Sequence, residues 1–387
     1  MDSMNSMNSV IPVSRTLLSD AAIAAAADCM REGWVGYGPR CRALEHRFTQ
    51  DRGGWALATS SCTSALHLAA LLIPHQPEDE VIIPAMTFIS TAMAFHWAGW
   101  RVRIADVDPE TLLLTPATLR PRLNQRTRAV VAVHLYGQQA DCSSLASLCQ
   151  AHGCTLIEDA AHRLPLPTDP APAGRLACYS FNAVKEAPAG EGGLLWCADP
   201  VLEEAARELS NGGLQIDTPQ RCATPIHRDY QFGQRGGLKL RLNDIAATLA
   251  LHGLDHLPDT RHRRQNMARD YDHACTARQS SPGCLPPLHP LPRNIPADSC
   301  LMYLVRTAAN QRDALRQTLA AVGISTSVHY PALSTHPLWQ QDPCPAAERA
   351  TKEILTLPLH LALTETDRKR ILNVLSCSTS PPRCPAS

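Results

Sequence analysis

The sequence predicts an α/β fold: a mostly parallel sheet flanked by helices in a large domain, followed by a smaller C-terminal α+β domain. Three observations carry this. Short continuous apolar runs, such as Val81-Ile82-Ile83-Pro84 and Ala129-Val130-Val131-Ala132-Val133, alternate with helical stretches between Val81 and Asp159. Strands buried on both faces read this way, and parallel sheets are built from such strands. A proline-rich joint from Pro282 to Pro296 then leads into a different pattern of strand, helix, strand and two helices. Finally, 387 residues with 44% hydrophobic and 19% charged content suit a globular chain of more than one domain.

The bulk numbers narrow the function. Formal net charge is zero, so nothing favours a nucleic-acid partner or an anionic membrane surface. No apolar run approaches a membrane span. Residues 1–10, which begin with repeated Met-Asn-Ser units, are expected to be a disordered leader, and residues 377–387 a flexible tail. The large domain is expected over 11–257 and the small one over 258–376. Fifteen cysteines contain no Cys-x-x-Cys pair and sit mostly in apolar runs. They are expected to be buried free thiols rather than a disulfide or metal framework, which suits a reducing, cytoplasmic setting. No metal site is expected.

Taken in order, Ser19 and Asp20 cap a helix to about Met30, and Gly33 to Pro39 forms a shaped loop holding Trp34 and Tyr37. A helix from Arg40 follows. A short strand at Ala56 then runs into Ser60-Ser61-Cys62-Thr63 and an apolar helix from Thr63 to Ile73. Hydroxyls and free N–H groups at a helix start can cradle an anion, although plain N-capping by Ser60 or Ser61 explains the same pattern. Val81–Pro84 is a strand, Thr87–Trp97 a helix with Phe88 near its start, and Arg101–Asp106 a strand. Pro116–Leu123 is helical, 129–135 a strand, Cys142–His152 a helix and Cys154–Asp159 a strand. Ligands collect at the carboxyl ends of parallel strands. Asp159 ends such a strand and His162 is three residues on, so either can reach a ligand; capping of the next turn is the alternative.

Lys185 lies between a β-prone run, Cys178 to Phe181, and a Gly-rich exit, Gly190 to Gly193. A lysine in a semi-enclosed site can have its pKa lowered, and a neutral amine can form a Schiff base with an aldehyde. Taken alone, it reads more readily as an ordinary surface lysine. It gains meaning beside an acid, an anion cradle and an aromatic ring. Beyond it, Gly192–Cys197 is a strand, Pro200–Leu209 a helix and 211–237 a long loop. Asn243 or Asp244 caps a helix that bends at Pro258 and runs to about Thr276. Leu301–Thr307 is a strand, Arg312–Val322 a helix, Ser325–Tyr330 a strand, and Ala346–Leu355 and Glu365–Leu375 are helices.

Ten segments in order, among them Ser60-Ser61-Cys62-Thr63-Ser64-Ala65-Leu66-His67, Glu158-Asp159-Ala160-Ala161-His162, Lys185 through Gly193, Arg241-Leu242-Asn243-Asp244 and Val328-His329-Tyr330-Pro331, resemble the DegT-type sugar aminotransferase family. The resemblance runs from about Pro12 to Leu375. It implies the fold-type I aminotransferase architecture with a seven-stranded sheet, and pyridoxal 5'-phosphate as cofactor. It implies that Lys185 binds the cofactor covalently and moves the proton, that Asp159 holds the pyridine nitrogen protonated, and that His162 sits near the cofactor phenolate. Phe88 would stack on the ring. Ser61, Cys62, Thr63 and Ser180 would hold the phosphate. A homodimer with shared active sites would bring Lys239 to the neighbouring subunit's phosphate, where the family commonly has Asn. Trp34, Tyr37, Glu191 and His329 are the expected substrate contacts. Cys62 stands where Gly or Ala is usual. Glu186 follows the lysine and is expected to point away from it. The implied reaction moves an amino group from glutamate or glutamine to a keto group of a nucleotide-linked deoxysugar. Alternatives are a keto-cyclitol or aminobenzoate precursor in secondary metabolism, or an inactive sensor or partner subunit of the same fold.

Overall fold

A computed structural model describes residues 10–223, 228–279 and 286–376. The expected leader up to residue 9 and the tail from 377 lie outside the described residues, as does part of the proline-rich joint. Seven strands form the main sheet: β1 (Trp55–Thr59), β2 (Glu80–Pro84), β3 (Arg101–Ala105), β4 (Thr127–Val133), β5 (Thr155–Ala160), β6 (Leu176–Ser180) and β7 (Gly193–Cys197). Their order is β1-β7-β6-β5-β4-β2-β3. β3, β2, β4, β5 and β6 run parallel, while β7 is antiparallel to both β6 and β1. A second sheet orders as β10-β9-β8, from β8 (His289–Pro290), β9 (Tyr303–Arg306) and β10 (Ile354–Leu357).

The two-residue period of a strand sends alternate side chains to opposite faces. Leu57, Ile157, Leu176 and Cys178 join the core under helices Cys62–Leu72 and Ser90–Trp97. Ala56, Ala58, Ala177 and Tyr179 face helices Pro39–Thr49 and Asp244–Asp255. Leu156 packs with Leu145 and Leu148 of helix Cys142–His152. Burial of apolar side chains at roughly 25 cal/mol per Å² holds these layers together. The C-terminal unit has its own core around Tyr303, Val305, Leu355 and Leu357, which Ile11 joins through a bridge to Ile324.

Three expectations are corrected. Residues 325–330 form no strand; Ser327 alone bridges Thr356. The ladder with β9 is made instead by Ile354–Leu357, which was expected to be partly helical. Both runs are β-prone, but all four residues of β10 are buried, so packing decides between them. The helix after β2 begins at Ser90, leaving Thr87 and Phe88 in the preceding turn. The long helix is two: Asp244–Asp255, with Asn243 as cap, and Leu257–Gln279. Pro258 stands at the start of the second, where its missing N–H costs nothing. Of the twelve described cysteines all but Cys222 are buried, and they form no disulfide with one another. Cys284, Cys377 and Cys384 lie outside the described residues.

Candidate active site

The carboxyl ends of β5 and β6 bring the expected residues together. Asp159 is on β5 and faces the side of helices Cys62–Leu72 and Ser90–Trp97. It is 4% exposed. Its Oδ2 accepts from the Thr91 hydroxyl at 2.7 Å, and its Oδ1 accepts from the Ala161 N–H at 3.1 Å. The Cys62 thiol lies 4.0 Å from Oδ1. Burial pushes the Asp159 carboxyl above its ordinary pKa, against the opposing pull of Thr91, Ala161 and the Lys185 charge. This carboxylate therefore has a standing affinity for a cationic partner.

Lys185 is partly buried in the loop after β6. Loss of water lowers its amine to about 8, while Cys62 and Asp159 act in the opposite direction. A substantial neutral fraction at neutral to mildly alkaline pH is what nucleophilic lysine chemistry requires. Glu186 points away, as expected. Its carboxylate pairs with Arg261 through Nε and Nη2, each at 3.0 Å, and accepts the Leu164 N–H at 2.7 Å. Neighbouring residues of one loop thus separate an unpaired amine from a fully paired acid.

His162 is buried and held from two sides. Its Nδ1 accepts the Tyr136 N–H at 3.1 Å, and its Nε2 lies 3.1 Å from the Tyr330 hydroxyl. An acceptor at Nδ1 places the ring proton on Nε2, so the ring donates to Tyr330. Burial, then the Lys185 and His329 charges, keep His162 neutral far below its ordinary range. Tyr136 reaches this position with φ 63°, a left-handed conformation that a bulky residue adopts only when its surroundings impose it. Its hydroxyl donates to the His329 carbonyl. His329 Nδ1 lies 3.0 Å from Thr356 Oγ1, and burial and Lys185 lower its ring to about 4. Phe88 is 54% exposed, with its ring 5.7 Å from that of Tyr330.

The helix start expected to cradle an anion is formed. Ser61 caps helix Cys62–Leu72 and accepts the Ser64 N–H at 3.1 Å; Ser60 and Ser61 hydroxyls both contact Ser64 Oγ. Among the described residues no acceptor meets the Cys62 or Thr63 N–H. Gly193 explains the Gly-rich exit. A Cβ there would lie 2.3–2.4 Å from the Ser61 and Cys62 backbone, so only glycine lets β7 approach the cradle. Ser180, buried at the end of β6, pairs with Gly193 in register.

Other expected residues lie farther out. Tyr37 donates to Glu45 at 2.8 Å and stacks under Arg241, lining a different cavity from Lys185. Trp34 donates to the Tyr37 carbonyl at 3.2 Å and packs against Gly38. Glu191 is exposed and accepts from Asn182 at 2.8 Å. Lys239 is exposed in a segment that bridges Asn211 and runs beside the end of β1, where the Ser60 N–H donates to the Leu240 carbonyl at 2.6 Å. Thr91, Tyr136, Tyr330 and Arg261 are partners that sequence reasoning missed. Thr91 had a signal, because it lies one helical turn beyond Thr87.

On the opposite face of β5, Glu158 meets His134 (Nε2 to Oε2, 3.0 Å) and Cys142, the described residues with metal-ligand chemistry in one group. His134 Nδ1 accepts the Ala140 N–H at 3.2 Å, so Nε2 carries the proton and donates to Glu158. Both ring nitrogens are used, and the group braces β4 to β5. No helix of the described residues is long and apolar enough to cross a membrane.

These residues fit pyridoxal phosphate. A buried carboxylate can meet a protonated ring nitrogen, a lysine of lowered pKa can react with an aldehyde, and free N–H groups at a helix start can receive a phosphate. Known proteins agree. The model of the DegT/DnrJ/EryC1/StrS aminotransferase family matches residues 17–376. The aminotransferase TlmJ from Streptoalloteichus hindustanus is 30% identical with TM-score 0.84, over 95% of this chain and 98% of that one. The putative sugar aminotransferase Spr1654 from Streptococcus pneumoniae, in its PMP form, is 25% identical with TM-score 0.82, over 95% and 98%. PseC of Helicobacter pylori, at 22% identity and TM-score 0.83 over 95% and 98%, shares the fold. The chain therefore belongs to the DegT/DnrJ/EryC1/StrS family of pyridoxal-phosphate-dependent aminotransferases.

Proposed function

We propose that this aminotransferase moves an amino group from glutamate or glutamine to a keto group of a nucleotide-linked deoxysugar, in the cytoplasm, as a homodimer with shared active sites. The observation that carries the reading is the pairing of Lys185, lowered to about 8, with the buried Asp159. The bound cofactor supplies an electron sink for charge developing on the amine-bearing carbon. Asp159 keeps the ring nitrogen protonated by offering a carboxylate that burial leaves in need of a cation. Lys185 takes and returns the proton at the amine-bearing carbon. His162, held as the Nε2–H tautomer by Tyr136 and Tyr330, would stand on the side of the ring oxygen, and Phe88 would cover the ring. Ser61, Cys62, Thr63 and Ser180 take the phosphate. Lys239, exposed on its own subunit, reaches the partner's phosphate as a point charge. His329, which shares a cavity wall with Lys185, contacts substrate, whereas Trp34, Tyr37 and Glu191 lie farther from Lys185.

The pairing of Glu186 with Arg261 favours a working enzyme over an inactive fold relative, because it keeps the Glu186 carboxylate off the amine of Lys185. The test loads the protein with cofactor and converts it to its amine form with glutamate. It then offers a panel of keto sugars linked to nucleotides alongside keto-cyclitols. Consumption of the amine form by a nucleotide-linked keto sugar is expected. Consumption by keto-cyclitols alone, or no amine form with any donor, contradicts the reading.

A further inference from the structure

Helix Cys142–His152 ends in a closed turn. Gly153 takes the left-handed conformation, with φ 68° and ψ 27°. Its N–H donates to the Gln150 carbonyl at 3.1 Å, and the Cys154 N–H reaches back to the Cys149 carbonyl at 3.0 Å. These two bonds make the helix-ending motif in which the residue after the glycine packs its side chain on the residue five positions earlier. That contact is ordinarily apolar. Here both positions are cysteine. The Cys154 sulfur turns back over the helix end, 3.5 Å from the Cys149 carbonyl oxygen, and the Cys149 thiol donates toward it. Cys142, at the other end of the same helix, stands roughly 10 Å away along the axis.

Burial pushes the thiols of Cys41, Cys62, Cys142 and Cys178 above their ordinary range, the setting of inert packed sulfur. Cys154 goes the other way. The hydrogen bond from Cys149 lowers it, burial opposes, and its own backbone N–H and the Arg128 guanidinium lower it further. Cys154 is also the more accessible of the pair, 9% exposed against 1% for Cys149. Thiolate character and access on one sulfur, with a second thiol held against it, suit an attacking and a resolving cysteine.

We propose that Cys149 and Cys154 are an oxidation site, which a hydroperoxide closes to an intrachain disulfide. The Cys154 thiolate attacks a peroxide oxygen and the O–O bond breaks. Hydroxide leaves and takes up the proton that the thiol gave, so Cys154 becomes a sulfenic acid. The Cys149 sulfur then attacks the Cys154 sulfur, and its proton leaves with the displaced hydroxyl as a second water. Two thiols lose two electrons in all, and one hydrogen peroxide is reduced to two waters. The new bond pins the helix end to the entry of β5. Asp159 lies ~16 Å on, at the far end of that strand. The site therefore stands apart from the amino-transfer chemistry and uses none of its residues.

The test is peptide mapping of the full-length, cofactor-loaded protein after exposure to hydrogen peroxide, with the dose raised until the partly exposed Cys222 is oxidised. Free thiols are then blocked with N-ethylmaleimide in denaturant. Trypsin releases residues 129–163 as one peptide holding Cys142, Cys149 and Cys154. That peptide is expected to lack two hydrogens and to carry a single block, at Cys142, with three blocks restored when dithiothreitol precedes the blocking. In Cys149→Ala, dimedone is expected to label Cys154 at least about fivefold more than Cys142. In Cys154→Ala, Cys149 is expected to stay unlabelled. The wild-type map stands without either variant. Three blocks on the peptide at the dose that oxidises Cys222 would overturn the proposal. So would a disulfide that includes Cys142, or dimedone on Cys149 in Cys154→Ala.

Discussion

Glu158 and Asp159 are neighbours on one strand, both buried, and they face opposite sides of the sheet. Their environments diverge. Burial pushes Glu158 upward, but His134 and the backbone N–H groups of Gly174 and Ala173 more than reverse it, and the carboxyl ends below its ordinary value. Asp159 receives one hydroxyl, one N–H and a distant thiol, and burial wins. The first acid is satisfied by its own chain and holds two strands together. The second is held in shape but short of charge compensation, facing Lys185. The same contrast recurs one loop on, where Glu186 is paired with Arg261 and, among the described residues, Lys185 has no carboxylate at hydrogen-bond distance. The proposed chemistry uses the side of the sheet where pairing is left incomplete.

Breaking each side separately should give opposite signatures. Asp159→Asn removes the charge meant for the cofactor, and turnover is expected to fall on the order of 10³-fold, about 4 kcal/mol of barrier, with the melting temperature unchanged or higher. Steady-state kinetics beside thermal unfolding reads both. Glu186→Gln leaves the buried Arg261 without its counter-charge. A stability loss of about 3 kcal/mol is expected in urea unfolding, with catalysis per folded molecule much less affected.

Lys185→Met, in cofactor-free protein, should stabilise the chain by ~2 kcal/mol at pH 7, less than the full shift because the side chain keeps some solvent contact. The folded-state pKa of about 8 lies below the unfolded value near 10.5. Below pH 8 both states carry the proton, and the folded state bears the full cost of a buried charge. Between 8 and 10.5 the unfolded state binds more protons, so wild-type stability rises with pH and the advantage of the variant disappears. Unfolding of both proteins across pH 6 to 11 checks this. The smallest effect is expected at Glu158→Gln, where an amide faces the His134 N–H. About 1.5 kcal/mol of stability should be lost with kcat nearly intact.

Much of this contrast was legible in the residues. Alternation of apolar runs gave the sheet, the two-residue period separates Glu158 from Asp159, and the hydroxyl cluster at residues 60–64 marked the cradle. What was not legible depends on packing across long sequence separations. Arg261 meets Glu186 from 75 residues away, and Tyr330 meets His162 from 168 away. No local pattern encodes such pairs. Nor could propensity decide between residues 325–330 and 354–357 for the place beside β9, because only burial separates them. Phe88 and Thr91 fell on either side of a helix start that the sequence placed three residues early, so Thr91 was passed over as an ordinary helical residue.

The central claim is that one lysine, Lys185, is the covalent anchor. Borohydride reduction of the cofactor-loaded protein, followed by peptide mapping, tests it directly. A single modified peptide carrying the cofactor on Lys185, lost in Lys185→Ala, is the expected result. Modification centred on Lys239 or another lysine, or the absence of any reduced adduct in a protein that binds the cofactor, would contradict the account.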